Sequence, residues 1–279
     1  MHSYRWHSSV VVPCYNEQDR LDVRAFGDFA TQHRDIELLL VDDGSTDGTA
    51  ALLEHLRNEN ATNIRTLHLP RNCGKAEAVR QGMLEALNRR PRFVAYWDAD
   101  LATPLSAVRQ FQEVLERRPN DDAVIGVRLP LLGREINRDA RRWFCGKAFR
   151  IAAAHVLNLR VSDTQCGAKM FRATEDCRAV FREPFQSRWI FDVEVLARYR
   201  RIWRRRDAKR AMLYELPLDQ WSEVGESKVK PRDFVRAFVD LALLFRQYRL
   251  NGDDAASVNP QPASLGHEKA RREQHRRAA

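Results

Sequence analysis

The chain has no pair of cysteines at CxxC spacing, and its five cysteines, Cys14, Cys73, Cys145, Cys166 and Cys177, are odd in number and widely scattered. This argues against a zinc ribbon or a disulfide-stapled framework and points to a reduced, cytoplasmic setting. No apolar run approaches the roughly 18 residues that a spanning helix needs. The opening MHSYRWHSSV lacks the long apolar core of a secretory signal. Neither a transmembrane helix nor a signal peptide is therefore expected. The phosphate-loop pattern GxxxxGK followed by Ser or Thr is missing too, because Gly74-Lys75 has neither the leading glycine nor the trailing hydroxyl residue. There is no internal repeat and no recognisable nucleic-acid-binding module, so no nucleic-acid partner is expected.

What is present is charge. The 279 residues carry a formal net charge of +9, with a pI near 9.6, which favours anionic partners such as phosphorylated small molecules or an anionic membrane face. The length suits one large α/β domain with additions, expected over residues 1–250, followed by a flexible basic tail at 251–279.

The stretch RFVAYWDADLATP, Arg92 to Pro104, organises the rest. Its apolar run predicts a short buried strand that ends in Asp98-Ala99-Asp100, with Pro104 opening a helix. Residues two apart on a strand share a side, so Asp98 and Asp100 would present their oxygens together if the strand continued that far. Such a pair calls for a hard divalent cation, Mg2+ or Mn2+, which binds one or two carboxylates and completes its shell with substrate phosphates. The plain alternative is an acidic loop.

Earlier in the chain, strands are predicted at Ser9–Val12, Ile36–Val41 and Ile64–Leu69. They alternate with helices at Asp19–His33, Thr49–Asn58 and from Lys75 to Leu87. A helix striped by Val108, Phe111, Val114 and Leu115 follows the DAD strand, then a fifth strand at Ala123–Val127. This alternation implies a mostly parallel, doubly wound sheet with helices on both faces, whose ligands bind beyond the carboxyl ends of the strands. Pro13 to Glu17, Asp42 to Asp47, Asn72 to Lys75, Asp98 to Asp100 and Arg128 all fall at those ends. Further on come a turn and strand over Val161–Phe171, a helix reaching Trp203 and a strand at Met212–Leu216. Two amphipathic stretches, Arg141–Leu159 and Pro231–Leu250, read either as core-packed helices or as membrane-surface helices. In the second, Phe234, Phe238, Leu241, Phe245 and Tyr248 share one predicted face.

The set PCYNE, DDGSTDGT, NCGKAEAVRQG, DADLATP, SDTQCGAKMF, RWIFDVE and WSEVGESK, in this order, resembles the family 2 glycosyltransferases of the GT-A fold. Within that family it is most similar to the branch that glycosylates dolichyl and polyprenyl phosphates. The resemblance covers about Ser8 to Tyr248. It implies that Pro13, Tyr15, Glu17 and Asp43 cradle the base and ribose of a nucleotide sugar, with Lys75 beside them. Asp98 and Asp100 become the DXD motif, with Asp100 the more direct metal ligand. Arg128 and Arg142, with Arg141 as substitute, would hold phosphate, and Lys228 would close over the donor. Asp163, Gln165 and Asp192 would line the acceptor side. Mannosyl-transferring relatives carry Gln where this chain has Ala102, so the resemblance favours UDP-glucose over GDP-mannose as donor.

The expected reaction is inverting transfer of a hexose to a lipid phosphate, with the protein peripheral at the inner face of the membrane. A phosphate acceptor is already anionic near neutral pH and needs no strong base. A soluble hydroxyl acceptor would need one, and Asp163 or Asp192 would then be the candidates. A sugar nucleotidyltransferase and a non-catalytic basic adaptor are the remaining alternatives.

Overall fold

The computed structural model describes residues 6–60, 62–129, 135–136, 152–159, 161–206, 212–222 and 231–250. Arg141, Arg142, Lys228, the start of the first amphipathic stretch and the 251–279 tail lie outside them. A seven-stranded sheet runs in the order β3-β2-β1-β4-β7-β5-β8. Its strands are β1 (Ser8–Cys14), β2 (Ile36–Asp42), β3 (Ile64–His68), β4 (Phe93–Tyr96), β5 (Ala123–Val127), β7 (Lys169–Arg172) and β8 (Leu213–Pro217). Short β6 (Glu135–Ile136) and β9 (Gln220–Trp221) pair separately. The β3-β2-β1-β4 half is parallel throughout, as is β5 with β8. β7 runs antiparallel to both β4 and β5, between which it lies.

Helices among the described residues include α1 (Val23–Gln32), α2 (Thr49–Glu59), α3 (Lys75–Asn88), α4 (Ala107–Arg117), α5 (Glu175–Arg182), α6 (Phe191–Arg205) and α7 (Pro231–Phe245). Because side chains alternate along a strand, the apolar runs of β1, β2 and β4 feed two cores, while Ile125 and Val127 of β5 enter a third with Leu241 and Leu244. Val10, Val12, Leu38, Leu40, Phe93, Ala95 and Trp97 pack with residues of α1, α2 and α4. Val11, Leu39, Val41, Val94 and Tyr96 pack with residues of α3, α5 and α6 on the opposite face.

Several boundaries have local causes. α1 starts at Val23 and not at Asp19, because the Asp22 side chain caps it by accepting from the Ala25 amide at 2.9 Å. α5 was not expected, although its start carries a recognisable signal. Thr174 accepts from the Cys177 amide at 3.3 Å, and Glu175 and Asp176 complement the positive helix end. On α7 the buried stripe is Leu241 and Leu244, with Ala237, Phe245 and Tyr248 packed against it. Phe238, placed on that face by the sequence pattern, is instead exposed with Val239 and Leu243.

Candidate functional site

The strand that leads into the DAD motif ends at Tyr96, two residues before Asp98, so the two carboxylates do not share a strand face. A tight turn places them. The fully buried Trp97 donates from its indole nitrogen to the Thr103 carbonyl at 2.8 Å, which closes the base of the loop. The Leu101 amide donates to the Asp98 carbonyl at 3.3 Å, and Leu101 itself takes a left-handed φ of 53°. Asp100 Oδ1 accepts from the Ala102 amide at 3.0 Å.

Asp98 Oδ1 accepts from Lys75 Nζ at 2.5 Å, so the first residue of α3 reaches the DAD loop. On its other side stands Gly167, where any Cβ would collide with the Asp98 carboxylate. Burial would raise the Asp98 pKa, but the Lys75 ammonium, reinforced by Lys169 and Arg128, outweighs it and holds the group below its ordinary value. Asp100 moves the other way: burial and then the Asp98 charge push it up. Burial also acts against the Lys75 ammonium, yet Asp98, Asp192 and Asp100 together raise its pKa.

Two further loops converge at the neighbouring strand ends. Asp43, just past β2, is buried, and its two oxygens accept from the Cys73 and Gly74 amides at 2.8 Å each. Burial nonetheless raises its pKa. After β1, the Asn16 and Glu17 amides donate to Ser45 Oγ at 3.1 Å and Thr49 Oγ1 at 2.8 Å, joining the PCYNE and DDGSTDGT loops. Glu17 grips Arg20 at 2.5 Å, Pro13 is the penultimate residue of β1, and Tyr15 is exposed.

Across β7, the Arg128 guanidinium makes a two-pronged contact with Asp163, Nε to Oδ2 at 2.6 Å and Nη2 to Oδ1 at 2.8 Å. The Trp221 ring lies against the guanidinium at 5.1 Å. The Ser222 amide donates to the Ala102 carbonyl at 3.2 Å, so the start of the WSEVGESK segment is pinned to the DAD loop. Gln165 donates its own amide to Asp163, while its buried side-chain Nε2 has no hydrogen-bond partner among the described residues. Asp192, at the start of α6, accepts from the Tyr96 hydroxyl at 2.6 Å and from the buried Lys169 ammonium at 2.5 Å. Lys169 was not singled out by the sequence, since a lone Lys at the start of a strand reads as a solvated residue.

Carboxylates and cations gathered beyond the carboxyl ends of a doubly wound sheet define a GT-A architecture, with the polar loops of five strands meeting at one edge. The pattern of glycosyl transferase family 2 matches residues 9–186, and the chain belongs to that family. It is a hexosyltransferase. Among its relatives is a dolichyl-phosphate beta-glucosyltransferase of Trichomonas vaginalis, 31% identical over 87% of this chain and 72% of that protein. Enzymes of the same name from Drosophila melanogaster and Saccharomyces cerevisiae are each 30% identical, over 90% and 87% of this chain and 78% and 75% of their own lengths. Glucosyl-3-phosphoglycerate synthase of Mycobacterium tuberculosis, crystallised with Mn2+, UDP and phosphoglyceric acid, shares the fold. Its TM-score is 0.61 at 18% identity, over 86% of this chain and 78% of that one.

Proposed function

We propose that this enzyme transfers glucose from UDP-glucose to a polyprenyl phosphate, with inversion at the anomeric carbon. The observation that carries the reading is the sequence kinship, over most of the chain, to enzymes named for dolichyl-phosphate beta-glucosyl transfer. In this reading Pro13, Tyr15, Glu17 and Asp43 receive the base and ribose, and Lys75 lies near the donor phosphates. Arg128 and the Gln165 amide face the acceptor phosphate. Arg141 and Arg142, which the resemblance assigns to phosphate, and Lys228, which it assigns to the donor, lie outside the described residues.

Asp98 and Asp100 suit a divalent cation. They are hard oxygen donors, and the Asp98 charge raises the Asp100 pKa, a repulsion that a cation relieves. Mg2+ or Mn2+ would be held there by the carboxylates of Asp98 and Asp100. When bound, such an ion supplies Lewis-acid neutralisation of the departing diphosphate. The chain's own contribution is positional. The Trp97-closed turn holds Asp98 and Asp100 rigid, and the cations of Lys75 and Arg128 let two anionic substrates approach each other. A phosphate oxygen needs no deprotonation, so the engagement of Asp163 with Arg128 and of Asp192 with Lys169 is compatible with transfer.

Location follows from the acceptor. No helix among the described residues is long and apolar enough to cross a membrane. The outer face of α7 exposes Phe238, Val239 and Leu243 beside the exposed Arg236 and Arg246, and Trp189 is exposed as well. This face supports a peripheral contact with an anionic membrane surface.

A donor screen tests the reading. UDP-glucose and GDP-mannose are each supplied with Mn2+, with and without polyprenyl phosphate, and nucleoside diphosphate release is followed. UDP released in an acceptor-dependent manner is expected. Preference for GDP-mannose would reverse the donor assignment, pyrophosphate release would indicate nucleotidyl transfer, and efficient transfer to a soluble hydroxyl compound would displace the lipid acceptor.

A further inference from the structure

Lys169 is fully buried, and its ammonium has two acceptors, Asp192 Oδ1 and the Cys166 carbonyl, each at 2.5 Å. Asp192 is buried as well, and its same oxygen accepts from Tyr96 at 2.6 Å. The Lys169 ammonium lies 5.3 Å from the centre of the Tyr96 ring. A buried ion pair is weak evidence of a design for stability, because desolvating both charges offsets most of their attraction, and apolar residues of similar volume often serve as well. The location of this pair supplies another reason for it.

The antiparallel register sets Tyr96 opposite Lys169. Continued two residues outward, the same register sets Asp98 opposite Gly167, the position where no Cβ fits beside the carboxylate. The Cys166 carbonyl that Lys169 holds belongs to the residue immediately before Gly167. One ammonium thus ties the turn that packs on Asp98 to the first turn of α6, and its charge also acts on Asp98.

We infer that Lys169, Asp192 and Tyr96 form a positioning unit that touches neither substrate, holding the Cys166–Gly167 turn against Asp98, with Asp192 serving as the counter-ion of Lys169 and not as a proton acceptor in transfer. The inference rests on the proposed metal–nucleotide chemistry for its functional half. Its structural half concerns the ion pair alone.

The test compares Lys169→Met, Asp192→Asn and the combined pair by thermal unfolding, and by calorimetric titration of Mn2+ in the presence of UDP or GDP, whichever the wild-type chain retains. Each single variant leaves one buried charge unmatched, so its unfolding midpoint should fall. The neutral pair should recover most of that loss, the signature of direct coupling. The pair cannot hold the Cys166 carbonyl, because Met has no donor, so Mn2+ affinity in the presence of nucleotide should remain about tenfold weaker although the fold is restored. Tyr96→Phe should produce a smaller loss in the same direction.

Additive midpoints in the pair would overturn the counter-ion relation. Wild-type Mn2+ affinity in a stably folded pair would overturn the positioning role. A folded Asp192→Asn chain with unchanged midpoint and unchanged Mn2+ affinity but lost turnover would make Asp192 a base and overturn both. A wild-type chain that binds neither nucleotide overturns the donor reading and the functional half of this inference together, whereas an effect confined to the variants leaves the donor reading intact.

Discussion

Asp98 and Asp100 stand two residues apart in different electrostatic surroundings. Asp98 is held ionised by the Lys75, Lys169 and Arg128 charges, while burial and the Asp98 charge raise Asp100. Asp100 also lies outside all three cores, in a turn whose closure depends on Trp97. Asp100→Ala is therefore expected to leave the unfolding midpoint close to that of the wild type. Turnover should fall by at least about 100-fold, the scale of a lost metal contribution worth several kcal/mol. Activity measured across a range of Mn2+ and Mg2+ concentrations checks this, and unchanged turnover would remove the metal assignment. Gly167→Ala probes the same carboxylate from the other side. Its Cβ has no room beside Asp98, so either the turn or the carboxylate must shift. We expect about 1–3 kcal/mol of destabilisation, together with weaker Mn2+ retention in calorimetry. A variant that is stable and binds Mn2+ normally would show that the turn yields without consequence.

At the level of elements, the edge of the sheet carries a pH-dependent clasp. His68, at the end of β3, bridges Asp42 of β2 at 3.3 Å and Glu54 of α2 at 2.8 Å. Burial lowers its pKa, but the two carboxylates outweigh burial and raise it above the ordinary 6.5. The folded value lies above the unfolded one, so the stabilisation is complete below about pH 6.5 and is lost as pH rises through the folded value. Thermal midpoints of the wild type should decline as pH rises above about 6.5 relative to those of His68→Asn. Parallel profiles would show that the ring is not part of the clasp. Most of this layer was readable in the sequence. β5 matches its expected limits because five apolar residues are bounded by charge on both sides, and α2 and α3 start where Thr49 and Lys75 were expected to open them. The direction of β7 was not readable, since KMFR is the same four residues whichever way the strand runs. The strand-face geometry of the DAD pair depended on β4 continuing past Tyr96, and the chain turns there instead. The Lys169–Asp192 pair escaped notice because its members lie 23 residues apart, and a strand–helix contact leaves no periodic trace.

For the molecule as a whole, the basic balance and the exposed apolar face of α7 predict reversible binding to anionic vesicles at low salt. Raised salt should release it, since screening shortens the reach of surface charge. Cosedimentation with anionic and neutral vesicles measures this, and failure to bind anionic vesicles at low salt would remove the proposed location. Phe238→Ser combined with Leu243→Ser should weaken the binding while leaving the buried Leu241 and Leu244 in place. The placement of β7 has a consequence of another kind, in the order of folding. Strands β1 to β4 pair among themselves, so that half of the sheet can assemble once residue 96 has been synthesised. β5 has no such neighbour. It must await β7 and β8, which begin at Lys169 and Leu213. In the interval β4 is an open edge, with unpaired backbone groups leading directly into the DAD loop, and such an edge invites pairing with other chains. A nascent chain stalled short of Lys169 would already hold most of its donor-side residues, yet it would present them beside a sticky border that the distant strand has still to seal.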